Sequence, residues 1–197
     1  MTTVNEPHEA LPVSSEEAGV QRLRRQLIGY QPACPSEDEA KRIMLGILDS
    51  SPDCFKRTFL PGHFTGSVWA IVPSEGKVLL LHHRKLGKWL QAGGHADGSP
   101  LLLPVALREL EEESGLATVS VMPGIFDLDV HSIPARDEMP EHLHLDVRFA
   151  VTLKNAEPLR CSEESHAVAW VPLKEIAELT SEESILRMVR KTLNSSR

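Results

Sequence analysis

Four glutamates crowd into little more than one turn at the end of an otherwise apolar segment: Arg108-Glu109-Leu110-Glu111-Glu112-Glu113-Ser114-Gly115-Leu116. Leu103, Ala106, Leu107 and Leu110 recur at i, i+3, i+4 and i+7, the period of one buried helical face. Gly115 stands where a left-handed residue normally closes a helix. Two starts fit: Ser99 capping with Pro100 at the first position, or Pro104 as the first helical residue. At about 100° per residue, Glu109, Glu112 and Glu113 share one arc and Glu111 points elsewhere. Like charges at this spacing repel by roughly a few tenths of a kcal/mol per pair. They also lie near the helix C-terminus, where the macrodipole disfavours anions. A hard divalent cation with oxygen ligands reverses the sign of that interaction; without one, the arc reads as a solvated acidic face.

The stretch Gly93–Leu116, GGHADGSPLLLPVALRELEEESGL, resembles the Nudix box: Gly, five residues, Glu, seven residues, then Arg-Glu-apolar-any-Glu-Glu-any-Gly-apolar. Gly94, Arg108, Glu109, Leu110, Glu112, Glu113, Gly115 and Leu116 match in register. The first Glu of the pattern falls on Pro100, which puts the usual support of the helix start in doubt; Asp97 is a nearby substitute. The resemblance covers about residues 60 to 175. It implies an α/β (α+β) fold, a Nudix-like α/β/α sandwich around a mixed sheet, preceded here by an N-terminal helical hairpin. The expected organisation is a flexible tail over 1–18, a helical N-terminal extension over 19–57 and the Nudix hydrolase domain over 58–197.

Along the chain, Val20, Leu23, Leu27 and Ile28 fit an amphipathic helix ending near Gly29. Ser36 to Glu39 has the pattern of a capping box, opening a second helix through Ala40, Ile43, Met44 and Ile47. This hairpin is suited to dimerisation, to covering the sheet, or simply to packing on its own domain, so a homodimer is one expectation. Ser67–Val72 and Lys77–His83 read as strands joined at Glu75-Gly76. A basic turn, Arg84 to Lys88, then Trp89 and the Gly93-Gly94 turn lead into the acidic helix. His166–Val171 reads as a late strand, Leu173–Leu179 as a short helix, and Ser181 opens the last helix.

Residues 125–132 (IFDLDVHS) and 141–151 (EHLHLDVRFAV) both alternate with period two. Their polar members are Asp127, Asp129 and His131 on one strand, and His142, His144, Asp146 and Arg148 on the other. A hairpin with His131 opposite His142 sets Asp129 against His144 and Asp127 against Asp146, so these six polar side chains share one face. Such a wall is suited to line a substrate pocket, to hold a further cation, or to satisfy itself through His–Asp hydrogen bonds. No other strong zinc signature accompanies the His-x-His pair.

A net charge of −7 argues against a general nucleic-acid or anionic-membrane binder. It leaves room for a nucleotide, because bound metal inverts a local potential. Cys34, Cys54 and Cys161 form no close pair, which suggests reduced thiols in a cytoplasmic protein. No apolar run reaches transmembrane length.

The Nudix resemblance implies metal-dependent hydrolysis of a diphosphate bond in a nucleoside diphosphate derivative, with Mg2+ or Mn2+. It assigns Glu112 and Glu113 as primary ligands. Glu109 is a third ligand or the base that orients water, and a Gly93-Gly94 backbone carbonyl, written here as Gly93, completes the shell. Arg108 braces the glutamates, and Glu164, in the loop before the late strand, approaches the metals. Arg84, Lys85 and Lys88 are candidates to meet phosphate, or are solvated turn charges. Trp89 stacks on a base or belongs to the core, and His95 and Asp97 face the site. His131 and His144 are candidate substrate contacts on the wall. Two alternatives keep the fold: a non-catalytic ligand-binding or interaction domain, which usually loses box carboxylates, and an isopentenyl-diphosphate isomerase-like enzyme, which needs a reactive cysteine near the metal.

Overall fold

A computed structural model describes residues 15–136 and 139–195. Helix α1 (Ser15–Gly29) and helix α2 (Pro35–Ser50) come first. Residues 15–18, expected in the tail, are therefore helical; the rest of the expected tail lies outside the described residues. Leu23 and Leu27 of α1 and Ala40, Met44 and Leu48 of α2 are buried in one apolar cluster with sheet residues, so the hairpin packs on its own chain. Ile28, read as part of that stripe, is exposed, being one step around the helix from the buried Leu27. The Ser36–Glu39 capping box does not form. Cys34 takes the cap position with Pro35 after it, and the Glu37 carboxylate reaches back to accept the Ala33 N–H at 2.6 Å.

Eight strands follow among the described residues: β1 (Gly62–Val72), β2 (Lys77–His83), β3 (Lys88–Leu90), β4 (Ala92–His95), β5 (Ser120–Val121), β6 (Asp127–Ile133), β7 (His142–Thr152) and β8 (Ser165–Pro172). The sheet is mixed. β1 runs parallel to β7 from Gly62 opposite Leu143 to Ile71 opposite Thr152. On its other edge β1 pairs antiparallel with β4 near its start and with β2 near its end. β8 extends β2, and β6 extends β7. The Gly93-Gly94 pair, expected to turn, instead lies in β4 as strand, opposite Ser67 and Gly66.

Alternation along β1 sorts the two faces. Phe64, Val68, Ala70 and Val72 join Leu145, Val147, Phe149 and Val151 in the cluster that also holds Leu102, Ala106 and Leu110 of helix α3 (Leu102–Ser114). The other face carries Trp69, Ile71, Leu80 and Ala150 beneath Ile185, Met188 and Val189 of helix α5 (Glu183–Ser195). A short helix α4 (Ile176–Leu179) leads into α5. α3 presses so closely on β1 that a Cβ at Gly66 would stand 2.6 Å from the Leu102 carbonyl oxygen.

The start of α3 matches neither expectation. Leu101 stands at the cap without a side-chain hydrogen bond, and Ser99 Oγ accepts the Leu101 N–H at 3.2 Å. Pro104 takes the third helical position, where its missing N–H costs no intrahelical bond. Gly115 closes the helix at φ +80°. Pro100 is buried, and a Cβ at Gly19 of α1 would meet its Cγ at 2.7 Å. The residue that departs from the box pattern is thus a docking point for α1.

A buried ion network ties the ends of the chain to the sheet. Asp127, fully buried, accepts from Arg187 Nε at 2.9 Å and Nη2 at 2.7 Å. It also accepts from Lys191 at 2.8 Å and Arg148 at 3.2 Å. Arg148 in turn donates to Asp146 at 2.7 Å, and Lys191 also pairs with Glu37 of α2. Burial pushes the Asp127 carboxyl up, but these guanidinium partners hold it below the usual range.

Removing one partner of such a network strands a buried charge. Arg187→Met is expected to cost roughly 3–5 kcal/mol in urea denaturation; a loss under about 1 kcal/mol would deny the network a structural role. Pro100→Glu, which restores the residue of the box pattern, is expected to lower the thermal midpoint rather than raise it, because the carboxylate would be buried against Gly19. An unchanged or higher midpoint would show that α1 does not dock there.

Candidate active site

The carboxylates of α3 meet the backbone of β4. Glu113 is buried and its Oε2 accepts the Gly93 N–H at 3.0 Å. A Cβ at Gly94 would stand 2.4 Å from the Glu109 carboxylate carbon, so any other residue here would have to displace that carboxylate from its present place. The Gly93 side of the strand is equally tight, 2.3 Å from Ser67 Oγ. Arg108 donates to Glu109 Oε1 at 2.8 Å and its Nε lies 3.8 Å from Glu112. Glu112 is the most open of the three acids, at 62% side-chain exposure. Glu111 is exposed.

The electrostatics of Glu113 are unusual. Burial pushes its carboxyl up to about 8; the Gly93 N–H opposes this, and the charges of Glu109, Glu164 and Glu112 add to it. Glu164, exposed in the loop before β8, therefore acts on the same carboxylate as the helix does. The carboxylates of one helix and one loop thus converge on a group that can ionise only at a cost.

Other residues singled out from the sequence have definite positions. Arg84 donates its backbone N–H to the Glu164 carbonyl at 2.9 Å and its guanidinium to the Ser165 carbonyl at 3.2 Å. Lys85 is exposed in the same turn, with its backbone N–H on His83 Nδ1 at 3.2 Å. Lys88 pairs with Glu182 at 2.8 Å. Trp89 is half-buried in β3 and stacks on His82, with centroids 5.2 Å apart. Asp97, with φ +48°, is bound by Arg57 through two bonds of 2.5 and 2.8 Å. It is thus committed to the segment before β1 and does not brace the start of α3.

The polar wall forms with its register shifted by two residues. His131 opposes His144, Asp129 opposes Asp146, and Asp127 opposes Arg148. A shift of two keeps every side chain on its face, so His131, His142 and His144 do lie together. The wall is not an exposed sheet face of His–Asp pairs. Its lower half is the buried ion network, and only His131 makes a His–Asp bond, from Nδ1 to Asp129 at 3.0 Å. Asp146 accepts from Thr65 at 3.0 Å, Ser67 at 2.6 Å, Gln91 at 3.1 Å and Arg148.

The upper half holds imidazoles. The parallel pairing puts His63 beside His144, and the antiparallel one puts His95 opposite Thr65. Burial, then the neighbouring imidazoles His95 and His63, pulls His144 down to about 2. Burial and then Arg57 pull His95 down to about 4. Both are neutral at physiological pH. His63, Gln91, Arg187 and Lys191 were not singled out from the sequence. The alternation His63-Phe64-Thr65-Gly66-Ser67 carried the signal for His63; the two cations on α5 looked like an ordinary solvated helix face.

The NUDIX domain model matches residues 63–191. Phosphatase NudJ of Escherichia coli K12 is 31% identical over 118 residues, covering 58% of this chain and 72% of the relative. An octanoyltransferase of Myxococcus xanthus is 28% identical over 167 residues, 82% of this chain; the chain spans 44% of that protein's length. Among solved structures, the E. coli dihydroneopterin triphosphate pyrophosphohydrolase superposes with TM-score 0.54 at 16% identity, covering 66% of this chain and 95% of the other. A C. elegans Ap4A hydrolase does so with TM-score 0.51 at 15% identity, covering 65% and 93%.

The raised carboxyl of Glu113 has a signed consequence. The unfolded chain ionises it near 4.5 and the folded chain near 8. Its contribution to stability is complete below the lower value and is lost as pH rises towards the upper one. With chelator present, the thermal midpoint is expected to fall from about pH 5 to about pH 8 more steeply in the wild type than in Glu113→Gln. Equal slopes in the two proteins would mean that Glu113 is not held neutral.

Proposed function

The chain belongs to the Nudix family, and we propose on that footing that it hydrolyses a diphosphate bond in a nucleoside diphosphate derivative with a Mg2+ or Mn2+ ion. The observation that carries this reading is the burial of Glu113 against the Gly93 N–H, with Glu109, Glu112 and Glu164 close enough to resist its ionisation. A cation relieves that repulsion, so the donor set fits the group. Hard oxygen ligands on one rigid helix suit Mg2+ and Mn2+.

Glu112 and Glu113 would hold the ion, with Glu109 as third ligand and the Gly93 backbone beside them. When bound, the ion neutralises phosphate charge and acidifies water. The remaining work falls to the protein. Arg108, bonded to Glu109, fixes that carboxylate's rotamer as a positioning residue. Gly94 admits Glu109 to the strand, so the acids keep their spacing without reorganising. Glu164, on a loop where it is exposed, orients the attacking water and accepts its proton. Arg84 and Lys85, in the turn tied to that loop, draw the anionic substrate in. His95, His131 and His144 face away from Glu109 across β4 and have no part in this reading. Trp89, with one face stacked on His82, has at most its other face to offer a base, and Asp97 acts through Arg57 rather than on substrate. The name of the E. coli relative, a phosphatase, agrees with phosphorus–oxygen chemistry. A small nucleotide is the substrate class of this reading.

The test is a phosphate-release screen over nucleoside diphosphate derivatives with Mg2+ or Mn2+. At least one compound is expected to turn over only with metal. Glu112→Gln should then lose about two or more decades in kcat, the order expected for removing a charge that touches the reacting system. Equal rates in the two proteins would overturn the assignment.

A further inference from the structure

His63 is buried to 2% exposure, and neither ring nitrogen has a hydrogen-bond partner. The Phe59 backbone lies near the ring without forming a well-aligned bond. Leaving such a group unpaired is destabilising, and buried polar atoms are otherwise satisfied throughout most folds. The ring is surrounded by its own kind. Its centroid lies 4.9 Å from those of His142 and His144 and 5.2 Å from that of His95. His95 and His144 are themselves 4.9 Å apart, edge to face. One nitrogen from each of His63, His95 and His144 lies within 4.8 Å of the other two.

We propose that His63, His95 and His144 form a second metal site, separate from the box carboxylates, that takes a borderline transition-metal ion of the Zn2+ class. Three observations carry this. One of the unpartnered nitrogens of His63 gains a Lewis-acid partner for its lone pair. The three residues come from three strands held in fixed register, β1 beside β7 and β1 against β4, so the ligands are brought together by the sheet rather than by a mobile loop. The donors are all imidazole, which suits Zn2+, Co2+ and Ni2+ and not Mg2+. A tetrahedral ion with bonds near 2.0–2.1 Å needs nitrogens about 3.4 Å apart, so binding draws together rings whose nitrogens now lie within 4.8 Å. Three protein ligands leave the fourth position for water or an anionic oxygen, the form of a site open to substrate. His142 stays outside the set, its Nδ1 tied to the Pro140 carbonyl at 2.9 Å.

The two sites lie on opposite sides of β4. Gly94 backs onto Glu109, and the next residue, His95, faces the imidazoles. The proposal goes beyond the hydrolase reading and does not need it.

The experiment is a Co2+ titration of the full chain, stripped with chelator and held in excess Mg2+, followed by visible d–d absorption and by metal content after gel filtration. One tightly held equivalent with imidazole-type bands is expected, retained in the Glu112→Gln/Glu113→Gln double variant. His95→Ala and His144→Ala should each weaken it by more than about 100-fold, while His166→Ala leaves it intact. Circular dichroism checks folding; if an alanine variant unfolds, His95→Gln and His144→Gln replace it, and zinc-edge X-ray absorption of the wild type counts the imidazole ligands directly. Retention of no Co2+ over Mg2+, an equivalent unchanged in both histidine variants, or one lost with the carboxylates would each overturn the proposal.

Discussion

Asp127 is the point on which the architecture turns. A carboxylate with no exposure is stable only when paired and hydrogen-bonded, and here the partners come from β7, through Arg148, and from α5, through Arg187 and Lys191. Lys191 carries the link on to Glu37 of α2 and to the Tyr30 hydroxyl. One buried anion thus fixes how the N-terminal helices, the last helix and the β6–β7 hairpin meet. In the observed register Asp127 faces Arg148, and the two acids that do face each other, Asp129 and Asp146, share the Arg148 guanidinium. The choice of face follows from the apolar alternation of Leu128, Val130, Leu145 and Val147.

That division explains what the sequence discloses. The acidic helix was legible because its period and its closing glycine are local signals, and both appear in α3 and at Gly115. The faces of β6 and β7 were legible because alternation survives any even shift. What stayed hidden depends on partners far along the chain. Arg187 and Lys191 look like solvated helix charges until α5 is laid on the sheet. Cys34, rather than Ser36, stands at the cap of α2, two residues earlier than the capping-box pattern suggests, and Glu37 turns to the Ala33 N–H and to the Lys191 cation. The glycine pair reads as a turn from composition alone. Its purpose, admitting Glu109 and Ser67 close to backbone, appears only once β4 is seen between α3 and β1.

Pro100 shows a substitution of role. In the box pattern that position bears a glutamate; here it is a buried apolar contact with Gly19 of α1. The helix start is held from outside, by the N-terminal hairpin, and not by a carboxylate of its own.

β4 then divides the chemistry. Consecutive residues of a strand face opposite ways, so Gly94 and His95 belong to different environments although they are neighbours in the chain. On one side, carboxylate oxygens crowd against a helix end, a setting that rewards a hard, highly charged ion. On the other, neutral imidazoles are gathered above an ion network already satisfied by its own cations, a setting of nitrogen rather than oxygen donors. The buried network thus separates the two sites as well as holding the fold. By using up Asp127, Asp129 and Asp146, it leaves the upper wall to nitrogen donors alone.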